Sequence, residues 1–80
     1  MQHYIPGLAI ALERLALSER GVAESENLVR RQRELSAGFE ADSLATIIAK
    51  VVLSELEETL ARQTADRDRL RAALREGPPN

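Results

Sequence analysis

Eighty residues make one domain at most, and a chain this short buries only roughly 60% of the surface its unfolded form exposes, so a lone copy is marginally stable. Eleven basic residues stand against thirteen acidic ones, a net charge of −2, which argues against a general phosphate-binding role. With no cysteine and one histidine, disulfides and a Cys/His zinc site are excluded, so help must come from regular helix packing or self-association.

The apolar content is mostly Leu, Ala, Val and Ile, with one Tyr, one Phe and no Trp, which is a helix-bundle composition. The start, Met1 to Ile5, lacks the basic flank and long apolar stretch of a signal peptide. The longest apolar run, Leu8 to Leu12, stops at Glu13 and Arg14, far short of the roughly 20 residues a membrane span needs. These features predict a soluble, cytoplasmic protein with no membrane contact.

Pro6 and Gly7 mark the start of a first helix, predicted over about residues 7–40 with no side chain to cap it. Leu8, Leu15, Val22, Val29 and Ser36 recur every seven residues, with companions Ala11, Ser18, Ser25, Gln32 and Phe39 three residues further on. The companions are small or polar, which lets helices approach closely and gives up burial at each layer. Leu12, Leu28 and Leu35 widen the stripe on its flanks. Gly21 inside this helix costs about 1 kcal/mol relative to Ala and is a candidate kink or close-contact point. As a kink it would yield a three-helix bundle.

The stretch Phe39 to Ala45 interrupts the helical pattern, and the turn is predicted at about 41–44, with Asp42 or Ser43 as the cap of the next helix. A second stripe follows over about 45–76: Ala49, Leu53, Leu56, Leu60, Gln63, Arg67, Leu70 and Leu74. Gly77-Pro78-Pro79 ends it and begins an expected disordered tail, 77–80. Two helices of matching length around one short turn predict an all-α, antiparallel hairpin of coiled-coil type. Its expected core is Leu8, Leu12, Leu15, Val22, Val29, Leu53, Leu56, Leu60, Leu70 and Leu74. Folding back at the turn sets Val29 near Leu53, Val22 near Leu60, Leu12 near Leu70, and Ser18 close to Gln63. Charge agrees: residues 13–26 carry four Glu against two Arg, and 62–75 carry five Arg against two Asp.

Surplus apolar residues lie outside the stripe: Ile10 and Leu17 on the outer face of helix 1, and Ile47, Ile48 and Val51 on that of helix 2. One patch is at the open end and the other beside the turn, so two antiparallel hairpins would cover both. The expectation is a homodimer forming a four-helix bundle through these five residues. The competing reading is a small regulatory adaptor or antitoxin-like protein whose apolar groove takes a partner helix.

Signs of chemistry are sparse. His3 has no metal-ligand neighbour in the sequence, and Glu55, Glu57 and Glu58 lack the Glu-x-x-His of a bundle metal site and read as a solvated face. No phosphate loop, nucleophile elbow or dinucleotide fingerprint occurs, so neither an enzyme, a cofactor nor a small-molecule substrate is expected. Arg30, Arg31 and Arg33, and Arg67, Arg69, Arg71 and Arg75, are interleaved with Glu34, Asp66 and Asp68 and read as helix surface, which ranks nucleic acid last among partners.

The segments Arg31-Gln32-Arg33-Glu34, Glu57-Glu58-Thr59 and Ala65-Asp66-Arg67-Asp68-Arg69-Leu70 resemble elements of a group of short, uncharacterised bacterial proteins, over roughly residues 13–75. In that group the turn is usually Gly, any residue, then Asp-Thr. Here Ser43, Leu44, Ala45 and Thr46 stand there, without the Gly terminator and Asp cap. The resemblance implies a helical hairpin and no assigned activity or site residues.

Overall fold

The computed structural model describes residues 6–76. The start with His3, and the tail expected to be disordered, lie outside the described residues. Within them the chain is an all-α hairpin: α1 over Pro6–Ala37, α2 over Leu44–Glu76, and the six-residue connection 38–43 between them. At 1.5 Å per residue each helix is about 50 Å long.

Gly21 does not split the first helix. α1 runs unbroken for 32 residues, because Leu, Ala, Glu and Arg around the glycine supply helix propensity to offset its cost of about 1 kcal/mol. The three-helix alternative is thereby corrected. Gly21 faces α2 instead, where a Cβ would meet the amide nitrogen and carbon of Gln63 at 3.4 and 3.8 Å.

α1 ends at Ala37 rather than near residue 40. The amides of Gly38 and Phe39 bond to the carbonyls of Leu35 and Ser36 at 3.2 and 3.1 Å, the tightened i→i+3 pattern that closes a helix. Asp42 then takes a left-handed conformation with φ of 64°, which Asp tolerates better than most non-glycine residues. That leaves capping of α2 to Ser43. Its Oγ accepts the Thr46 amide at 3.1 Å and its carbonyl takes the first intrahelical bond, from the Ile47 amide, at 3.1 Å. Thr46 completes the corner by donating its hydroxyl to the Glu40 carbonyl.

The seam between the helices is thin. Among the described residues only Val22, Ser25, Val29 and Ala49 are buried, and no large side chain is fully enclosed. Leu15, Leu53, Leu56, Leu60, Leu70 and Leu74 are half-buried. Leu8 and Leu12, expected in the core, are not: they remain 46% and 53% exposed. Leu12 sits one residue past the seam position Ala11, on the flank where it shares a groove with Arg71 and Leu74, and Leu8 sits at the open end where the seam runs out.

The lean of helical side chains toward their own N-terminus changes one expected pairing. Side chains of α1 tilt away from the turn and those of α2 tilt toward it, so tips meet when the α1 residue sits nearer the turn. Gln63 therefore accepts a hydrogen bond from the Ser25 hydroxyl, one heptad from the Ser18 pairing expected of it. Gln32 donates across the seam to the Ala49 carbonyl at 3.4 Å. Every buried side-chain polar atom among the described residues has a partner, so this polar layer carries no orphan group.

Candidate functional site

The cross-helix ion pairs define the two broad faces of the hairpin. Arg33 pairs with Glu57 at 3.2 Å and Arg71 with Glu19 at 3.3 Å. Each of these residues directly follows a seam residue: Gln32, Leu56, Leu70 and Ser18. One residue is 100° of helix, so the positions just after the seam on both antiparallel helices share one face, and the positions just before it share the other.

The face after the seam is charged. Besides the two pairs it carries Glu26, Arg30, Asp68 and Arg75, and Leu12 is its one large apolar residue. A shallow open groove at the free end is lined by Leu12, Leu15, Asp68, Arg71, Leu74 and Arg75. The ion pairs are half exposed, so each contributes a few tenths of a kcal/mol and sets orientation more than stability. Of the acid-rich 13–26 and base-rich 62–75 segments, Glu19 and Arg71 form the direct link.

The face before the seam is different. Ile10, Leu17, Leu28 and Leu35 precede Ala11, Ser18, Val29 and Ser36, and on α2 Ile48 and Val52 precede Ala49 and Leu53. All six are exposed, Leu17 by 62%. They make one apolar face, continuous beside the turn and carried toward the open end by α1. At that open end Arg14, Asp66 and Arg69 flank it.

The five residues expected to mediate association are all more than half exposed. The fold separates them, however. Ile10, Leu17 and Ile48 belong to the broad face, whereas Ile47 and Val51 lie two residues before seam positions, on the outer side of α2 with Leu44. Leu28, Leu35 and Val52 were missing from the expected set. Their signal was present in the sequence, since each directly precedes a seam residue, but it has meaning only once both helices are known to turn that side the same way.

Among the described residues, no group of three or more His, Cys, Asp or Glu side chains could hold a metal ion. No described helix is long and apolar enough to cross a membrane. Protein-family models, curated proteins and solved structures show no match to this chain.

Proposed function

We propose that this chain is a non-enzymatic structural or protein-interaction module of the cytoplasm that pairs with a second copy to close a four-helix bundle. One observation carries the reading: among the described residues the hairpin fully encloses no large side chain, yet it displays six large apolar residues along one face. Isolated long helices draw most of their stability from packing an amphipathic face, and here the seam between α1 and α2 buries only Val22, Ser25, Val29 and Ala49 among the described residues and leaves its leucines half-buried. Apolar surface of this extent, bordered by charge, marks an association site in a water-soluble setting. The short bacterial proteins that the chain resembles point to the same hairpin and to no activity.

Light scattering at micromolar concentration tests the reading. The expected mass is twice the 8.9 kDa of one chain, and Ile48→Glu, which places a charge on the face, is expected to return it to 8.9 kDa. A wild-type protein that stays at the single-chain mass, with one stoichiometric heterologous helical partner, would favour the adaptor class instead.

A further inference from the structure

The spacing of the apolar face carries a statement about how a second copy sits. On α1 the four residues Ile10, Leu17, Leu28 and Leu35 are separated by seven, eleven and seven positions. All three steps are close to whole numbers of turns, so the four form one line along the helix. The order of steps is the same read in either direction. The midpoint of the line falls between Val22 and Ala23, beside the centre of α1 itself, Pro6–Ala37.

A two-fold interface is self-matching: if residue i meets j, then j meets i. A line symmetric about its own centre satisfies this when α1 lies antiparallel on α1 of the second copy. We infer that the partner of this face is a second hairpin stacked with its turn at the opposite end, the two-fold axis crossing α1 at Val22–Ala23. Ile10 then meets Leu35 of the second copy, and Leu17 meets Leu28, in two symmetric sets. The inference rests on the self-association reading above.

Three further observations fit this placement. Because the centre of the line is close to the centre of the helix, the copies overlap along their full length. A face about 50 Å long and two helices wide offers roughly 1,000 Å², above the ~800 Å² per partner of a standard specific interface. On α2 the face continues past Val52 as Glu55, Thr59, Arg62, Asp66 and Arg69. Reversal lays Glu55 of each copy over the stretch of the other that runs Arg62, Asp66 and Arg69, two basic residues around one acidic. The stacking with both turns at one end would set Ile10 and Leu17 against Ala73, Asp66 and Arg69, and so leave half of the α1 line without an apolar counterpart. Two like-charge approaches oppose the assignment: Arg14 meets Arg31 of the second copy, and Glu55 comes near Asp66 of the second copy, which stands between Arg62 and Arg69. The two arginine side chains are long enough to carry their charged ends to water at the edge of the face.

The chain has no cysteine, so one introduced thiol reports a single distance. Ala41 is exposed in the turn and outside both helices, and Ala41→Cys carrying a spin label places a probe there. In a dimer verified by light scattering, dipolar spectroscopy is expected to give a label separation of about 50 Å, the length of a helix. A separation below about 25 Å means both turns share one end and overturns the inference while leaving self-association intact. A labelled wild-type-like protein that stays at single-chain mass overturns both.

Discussion

Leu12 and Leu17 provide a matched pair for testing which face associates. They lie on the same helix within five residues of each other, near its free end, and are 53% and 62% exposed. Leu17 is on the apolar face and Leu12 on the charged one. Replacing either with Ala keeps helix propensity high, so the local helix is not weakened. Full burial of a leucine contributes about 1.5–3 kcal/mol, and association can cover at most the exposed 62% of Leu17, which is about 1–2 kcal/mol per copy. A two-fold dimer counts the change twice, so Leu17→Ala is expected to cost about 2–4 kcal/mol, a rise in Kd between roughly 30-fold and several-hundred-fold. Leu12→Ala is expected to change dimer affinity by less than about 0.5 kcal/mol, as for an ordinary surface site. Sedimentation equilibrium over a concentration series reads both values directly. Equal effects from the two substitutions would refute the assignment of faces, and no effect from Leu17→Ala would refute burial of that side chain in the dimer.

Other predictions concern the hairpin itself. Ser43→Ala removes the acceptor for the Thr46 amide and is expected to lower stability by about 1 kcal/mol, read as a lower urea midpoint at unchanged slope. Ser25 and Gln63 should show a coupling of about 1 kcal/mol in a double-mutant cycle, because either single change leaves the other group short of its partner. Coupling near zero would mean that water satisfies both groups. Ser25→Ala combined with Gln63→Leu is expected to raise the melting temperature while broadening amide resonances along the seam, since the polar layer holds register at a cost in stability. Glu57→Gln is expected to cost under about 0.5 kcal/mol, because its partner Arg33 and Glu57 itself are half exposed, and that loss should vanish in high salt.

The period of the apolar residues and the break at Phe39 to Ala45 were enough to determine two helices and a hairpin, because a helix stripe and a short turn leave few other arrangements. The cap was narrowed to Asp42 or Ser43 by composition. Choosing between them took the backbone, since the residue that adopts the left-handed conformation is not the one that caps. Val22, Val29 and Ala49 as seam residues were also legible from spacing. What spacing could not carry was the direction in which side chains lean. That lean moved Gln63 from Ser18 to Ser25, while Leu12, one residue past the seam, fell on the charged flank. Nor could one helix alone reveal that the positions before the seam on both helices open on the same side. That depends on the antiparallel fold, which gathers Leu28, Leu35, Ile48 and Val52 into one surface with Ile10 and Leu17 and sends Ile47 and Val51 to the outer side of α2.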